Sequence, residues 1–266
     1  MVKTGISTAS LFGRMYTENA VEFLSRNNVP YIEVFLESFC EYNKKYGKFL
    51  AKKKGNTAVH SVHTLTTQFE STLYSVNEKA QKDSFIFLDS AMQAAGELSA
   101  RYYTFHGLAR YKKTPYNIDF DRCGKITEKI NEICGKYGVT LAYENVHWAY
   151  YNYIGFFSEL KKRVSGLKGT LDIKQARQSG IEYKDFIDEM KGDIVTVHIS
   201  DIDKDGKMCL PGKGVTDFKL LFNRLADVGF DGAILLEVYK DDYKTYEELF
   251  DSLNYVNDLA TNVFKS

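Results

Sequence analysis

The stretch Gly138-Val139-Thr140-Leu141-Ala142-Tyr143-Glu144-Asn145, GVTLAYEN, reads as a buried strand that ends on a carboxylate. Its apolar and β-branched centre suits a strand covered on both faces, whereas a lone glutamate at its end is costly to bury. Three later runs place a polar ligand-type residue at the same point: KGTLD at Asp172, DIVTVHIS at His198 and GAILLEVY at Glu237. Four earlier runs have the same strand character: KTGIST from Lys3, YIEVF from Tyr31, TAVHSVH from Thr57 and RYYTFH from Arg101. The total is eight strands.

Between them lie amphipathic patterns of helical period. These are NAVEFLSRNN from Asn19, EYNKKYGKFLAKK from Glu41, EKAQKDSFIFLDSAMQAAGEL from Glu78 and CGKITEKINEICGKYG from Cys123. The series continues with YIGFFSELKKRV from Tyr153, YKDFIDEMKG from Tyr183, DFKLLFNRLADVG from Asp217 and YKTYEELFDSLNYVNDLATNVF from Tyr243. In the fourth, Ile126, Ile130 and Ile133 form an apolar stripe opposite Lys125, Glu128, Lys129 and Glu132. Several helices stop at a glycine directly before the next strand, as in KYGVTL and DVGFDGAILL, which is a capping signal with a short connection. No Pro/Ser/Gly-rich linker or charge block divides the chain, so residues 1–266 are expected to form a single domain. Eight strand-helix units fit a (β/α)₈ barrel. A doubly wound open sheet that binds a dinucleotide would show GxGxxG after its first strand, but STASLFGRMY stands there.

Composition narrows the function. Lysine plus arginine and aspartate plus glutamate are equal at 35 each, so no net positive charge points to a nucleic-acid partner. A hydrophobic fraction of 44% supports a large core. The four cysteines are far apart, without a CxxC pair, so neither a zinc finger nor a disulfide framework is expected. The start lacks a signal-peptide pattern and no apolar stretch is long enough to span a bilayer, which together predict a cytoplasmic protein without a membrane partner.

In a barrel, Glu144, Asp172, His198 and Glu237 all reach the C-terminal rim, where such folds build their active sites. Each has an ordinary reading by itself, as a helix N-cap, an ion-pair partner or a core histidine. On successive strands they form a group whose like charges repel unless a cation joins them. Oxygen-rich ligation with one imidazole suits Mn²⁺, Mg²⁺ or Co²⁺, with Zn²⁺ allowed. His63 and His106 end strands three and four and can reach the same pocket, to contact substrate or a second metal. By strict alternation His60 points to the opposite face from His63 and is structural. Glu33 is expected either to pair with a lysine inside the barrel or to line the pocket floor. Trp148, beside His147, can stack on the C–H face of a sugar.

The strand-end series, with HISD after strand seven, PGKGVTDF from Pro211 and GFDGAILLEVY from Gly229, resembles the xylose isomerase-like TIM-barrel superfamily over nearly the whole chain. Within it, the sugar phosphate isomerase/epimerase group is most similar. The resemblance implies one divalent ion held by Glu144, Asp172, His198 and Glu237, with substrate oxygens completing its shell. It also implies a sugar, sugar phosphate or cyclitol substrate, isomerised or epimerised through a metal-stabilised enediolate, with Glu144 and Glu237 moving the proton. Dehydration of an inosose begins with the same proton abstraction. A homodimer or homotetramer is the implied assembly.

Two positions depart from the family pattern. Gln175 stands three after Asp172, where many members carry a substrate-contacting histidine, and Lys204 stands where some epimerases carry an arginine. Both remain substrate-contact candidates. Two alternatives have other chemistry: an endonuclease IV-like hydrolase of apurinic DNA, which needs further histidines after strands six and seven, and a sugar- or metal-binding barrel without turnover. Whether PGKG cradles a phosphate or is a tight turn is left open by the sequence.

Overall fold

The computed structural model describes residues 2–65, 69–110 and 117–264. In chain order the strands are β1 (Lys3–Ser7), β2 (Tyr31–Leu36), β3 (Ala58–Thr64), β4 (Tyr102–Phe105), β5 (Thr140–Glu144), β6 (Lys168–Asp172) and β7 (Ile194–Ile199), then β8 (Asp201–Ile202), β9 (Met208–Cys209) and β10 (Ala233–Leu236). Eight of them close a parallel barrel in the order β1-β10-β7-β6-β5-β4-β3-β2, while β8 and β9 form a separate two-stranded antiparallel pair. The expected (β/α)₈ barrel is therefore the fold, with β10 as its eighth strand.

The helices are α1 (Thr17–Arg26), α2 (Lys44–Lys53), α3 (Glu78–Glu97), α4 (Phe120–Gly135), α5 (Phe156–Lys161), α6 (Ile173–Gln178), α7 (Tyr183–Glu189), α8 (Phe218–Asp227) and α9 (Tyr246–Phe264). Side chains cap several N-termini: Asn43 accepts from the Tyr46 amide at 2.8 Å, Asp119 from Arg122 at 2.9 Å and Asp217 from Leu220 at 2.9 Å. On α4 the buried stripe is centred on Cys123, Thr127, Ile130 and Cys134, with Ile126 at its margin. Close packing of α2 on α3 depends on Gly47, where a Cβ would stand 2.6 Å from the Ala94 carbonyl oxygen. Two features are absent from the sequence reading: α6, which starts immediately after Asp172, and the β8-β9 hairpin within ISDIDKDGKMC.

One expectation about the barrel interior is overturned. The β2-β3 register pairs Ile32 with Val59 but Glu33 with Ser61, so His60 is an extra residue in a bulge. The bulge resets the alternation, and His60 points inward like His63. Its Nε2 spans the barrel floor to β7, on the opposite wall, and lies 3.1 Å from the Val195 carbonyl and 3.0 Å from Thr196 Oγ1. A matching irregularity lets β7 carry the extra Val195 against Gly169/Thr170. His60 is thus a structural tie, on the inner face.

Candidate metal centre and active-site pocket

The ends of β5, β6, β7 and the residue after β10 place Glu144, Asp172, His198 and Glu237 at one rim. A cavity of about 230 Å³ opens above them. Its lining combines Glu144, Glu237, His63, His106, Trp148, Lys174 and Gln175 with the apolar Ala9, Phe12, Phe35, Leu65 and Val238.

His198 is the hub. Its Nδ1 is 3.0 Å from Glu144 Oε1 and 3.1 Å from Glu237 Oε2, and its Nε2 is 3.1 Å from Glu33 Oε1. Burial disfavours charge on this ring, but the carboxylates of Glu237, Glu33 and Glu144 outweigh it and hold the imidazolium well above its usual range. Glu33 meets no lysine. Its carboxylate accepts from Ser7 Oγ at 3.0 Å, Ser61 Oγ at 2.7 Å and Thr104 Oγ1 at 2.6 Å. Burial pushes its pKa up, yet the charge and hydrogen bonds of His198 and His63 carry it well below the ordinary value. A fully buried carboxylate is tolerated here because hydroxyls from three strands and two imidazoles satisfy it.

The two oxygens of Asp172 have different partners. Oδ1 accepts from the Gln175 amide at 2.9 Å and so caps α6, while Oδ2 lies 3.8 Å from Lys174 Nζ. The capping role is observed, and it leaves Oδ2 available at the rim. Asn145 fixes the backbone of Asp172 on both sides, donating to its carbonyl at 2.9 Å and accepting from its amide at 2.8 Å. Burial raises the Asp172 pKa to about 6; Lys174 opposes the rise, and the charges of Glu144 and Glu237 add to it.

His63 and His106 face each other through their Nε2 atoms at 3.0 Å. His106 Nε2 is also 3.2 Å from Glu144 Oε2. Its Nδ1 donates to Glu70 Oε2 at 3.0 Å, and the His106 amide donates to the same oxygen at 3.0 Å. Thr64 and Tyr103 hydroxyls donate to the other Glu70 oxygen at 2.9 and 2.6 Å. Burial lowers the His106 pKa, but Glu70 and then Glu144 reverse this and raise it to about 9. Gly107 follows at φ +74, and a Cβ there would lie 1.7 Å from the Tyr143 hydroxyl, so the turn after His106 requires glycine. Trp148 lies across the ring of His106, with centroids 5.6 Å apart. Glu70 and Lys174 were missed in the sequence because neither ends a strand.

The donor set suits a hard or borderline divalent cation. One ligand atom each from Glu144, Asp172 and His198 lie within 4.8 Å of one another, as do those from Glu33, His198 and Glu237. Ligands about 2.0 to 2.2 Å from a shared ion have such separations. Glu237 Oε2 is buried without a well-formed hydrogen bond among the described residues, and a bound cation would satisfy it. His198 Nδ1 faces the rim carboxylates, and Nε2 faces Glu33, the carboxylate-histidine arrangement that orients metal ligands.

Lys204 is exposed at the turn between β8 and β9 and does not line this cavity. PGKG is a filled nest. Asp201 Oδ2 accepts from the Gly212 and Gly214 amides at 3.1 and 2.9 Å, and Oδ1 from Ile202 and Thr216 at 2.8 and 3.0 Å. These amides already serve an internal carboxylate.

An eight-stranded parallel barrel of this order, with an acidic, histidine-centred rim, is a TIM barrel. A family model described as xylose isomerase-like TIM barrel matches residues 20–258, and the chain belongs to that family. Solved structures share the fold at low identity. A protein titled IOLI, with a bound zinc atom, has TM-score 0.80 at 18% identity, covering 100% of both chains. A D-tagatose 3-epimerase-like protein has TM-score 0.76 at 21% identity, covering 97% of this chain and 99% of its own. D-psicose 3-epimerase from Clostridium cellulolyticum H10, solved with D-tagatose, has TM-score 0.76 at 14% identity, covering 98% and 99%. No curated protein matches the chain significantly. Among the described residues, no helix is long and apolar enough to cross a membrane.

Proposed function

We propose that this chain is a divalent-metal-dependent isomerase or epimerase of a small sugar or cyclitol, acting by proton removal from a carbon next to a carbonyl. The observation that carries this reading is the approach of Glu144 and Glu237, from strands flanking β6 and β7, to a single imidazole beneath one small cavity. Glu144, Asp172, His198 and Glu237 would hold the ion; Mn²⁺, Mg²⁺ and Co²⁺ suit the oxygen-rich set, and the zinc in one relative's title adds Zn²⁺. When bound, the ion supplies Lewis acidity to the substrate's carbonyl and hydroxyl oxygens.

The two glutamates are not equivalent. Glu144 uses Oε1 on His198 and Oε2 on His106, which is kept charged by Glu70, so its basicity is reduced. Glu237 contacts His198 and, at 4.0 Å, His63, through one oxygen. Glu237 is assigned the first proton removal: the C–H bond breaks, its electron pair forms the C–C double bond of an enediol(ate), and the carbonyl electrons move to oxygen. A proton supplied by the His106 imidazolium beside Glu144 Oε2 is then delivered through Glu144. It goes either to the other face of the same carbon or to the neighbouring carbon, whose hydroxyl proton passes to the former carbonyl oxygen. The proton held by Glu237 leaves to solvent, which reprotonates His106. Trp148 closes one side against water.

The test is proton exchange from ketoses and inososes into deuterated water, followed by NMR with Mn²⁺-loaded protein. Glu237→Gln should slow exchange about 10²- to 10⁴-fold, the usual contribution of a positioned base. Exchange at the wild-type rate in that variant would overturn the assignment.

A further inference from the structure

Lys174 is a buried cation with an ion-pair contact but no hydrogen-bond acceptor among the described residues. It is 2% exposed and lines the cavity. Its Nζ lies 3.8 Å from Asp172 Oδ2, beyond hydrogen-bond length, and 4.4 Å from the centroid of the Tyr239 ring. No hydrogen bond joins Nζ to any described residue. An ammonium has three donors, and at the wall of a cavity they are available to an acceptor that arrives with a ligand.

Its neighbour Gln175 has been narrowed to the same chemistry. The Gln175 side-chain oxygen accepts from the backbone amide of His147 at 3.2 Å and faces His147 Nδ1 at 2.6 Å. A backbone N–H can only donate, so Gln175 presents oxygen to His147 and retains its NH₂ as its remaining hydrogen-bonding end. The first turn of α6 thus brings two donor groups, one of them charged, to a pocket whose other polar groups are mostly carboxylates and imidazoles.

Resting on the proton-abstraction reading above, we propose that Lys174 contacts substrate, its ammonium binding the oxygen on which negative charge develops. Such a bond strengthens as a carbonyl or hydroxyl oxygen becomes an oxyanion, because charge-assisted hydrogen bonds are roughly twice as strong as neutral ones. Binding that grows toward the transition state accelerates the reaction, whereas uniform binding does not. Gln175 donates to an adjacent, uncharged oxygen. The substrate class is a small α-hydroxy ketone that becomes anionic only during reaction, with a reacting oxygen at the first turn of α6. In the competing account Lys174 serves only as a counter-ion for Asp172.

Calorimetric titration of Mn²⁺-loaded protein separates the two. The probes are threonohydroxamate, a hydroxamic acid that loses its proton on binding a metal and then resembles an enediolate, and erythrulose, its uncharged four-carbon hydroxy ketone counterpart. Lys174→Met should weaken the hydroxamate about 10- to 100-fold, change erythrulose affinity less than about threefold and leave manganese content unaltered. Lys174→Arg should recover part of the loss, and Lys174→Gln gives the same reading should the Met variant not fold. Unchanged hydroxamate affinity with tighter Mn²⁺ binding, which removal of a cation beside Asp172 would give, overturns the inference while leaving the proposed function intact. A wild-type protein that binds no hydroxamate overturns both.

Discussion

His60 and His106 are both buried imidazoles inside one barrel, and their surroundings drive them in opposite directions. At the floor, burial pushes His60 down to about 4, with Glu33 opposing and Lys3 adding to the shift. At the rim, Glu70 and Glu144 overcome burial and lift His106 to about 9. The same residue type is a neutral tie between strands in one layer and a cation in the next. Carboxylate supply, more than depth, decides which. The floor gives His60 a carbonyl and a hydroxyl, whereas the rim gathers Glu70, Glu144, Asp172 and Glu237. Glu33, in the layer between, is where the two regimes meet.

The largest test of this contrast removes the rim's charge. The Glu144→Gln, Asp172→Asn pair should abolish bound metal, from about one equivalent in the wild type, as read by inductively coupled plasma mass spectrometry. Undiminished metal in the pair would end the account of the rim as an ion site.

The floor is tested by pH. The His60 pKa falls from the ordinary 6.5 to about 4 on folding. Below 6.5 the unfolded chain takes up a proton that the folded chain refuses, so His60 costs no stability above that pH. Its penalty grows to about 3 kcal/mol as the pH drops to 4. In chelator, the urea-unfolding free energy of His60→Gln should therefore lose less than wild type over this window. Parallel pH profiles would show that the floor imidazole is not held neutral.

Glu33→Gln should cost about 2 kcal/mol in metal-free protein, since a charged acceptor of three hydroxyl bonds becomes a neutral one. A thermal shift of similar size in metal-free and metal-loaded protein would mean that its tie to His198 plays no part in ion binding. The smallest effect is expected away from both layers. Asp201→Asn should cost about 1 kcal/mol and be seen chiefly as faster hydrogen exchange at the Gly212 and Gly214 amides.

The barrel was legible in the sequence because period-2 apolar runs alternate with helical stripes, and both periods follow from backbone geometry alone. The strand ends Glu144, Asp172, His198 and Glu237 were legible because closure of the barrel puts strand ends on one rim. The other misses have separate physical causes. His60 was assigned to the wrong face because a bulge inserts one residue without any local signature. Glu70 lies on a short 3-10 turn over Glu70–Tyr74, where no period announces that it will reach His106. Lys174 was passed over because a lysine beside a strand end usually points to solvent, and only the tertiary structure shows it enclosed between Asp172 and Tyr239.

Asp201 bears on competition. Its carboxylate is covalently tethered to the chain whose amides it binds, so it confronts them at an effective concentration on the order of millimolar or higher. A phosphate group arriving from solution would have to displace it from four amide bonds at once. The amides of the PGKG turn are therefore committed to a carboxylate of the chain itself and are not open to a phosphate.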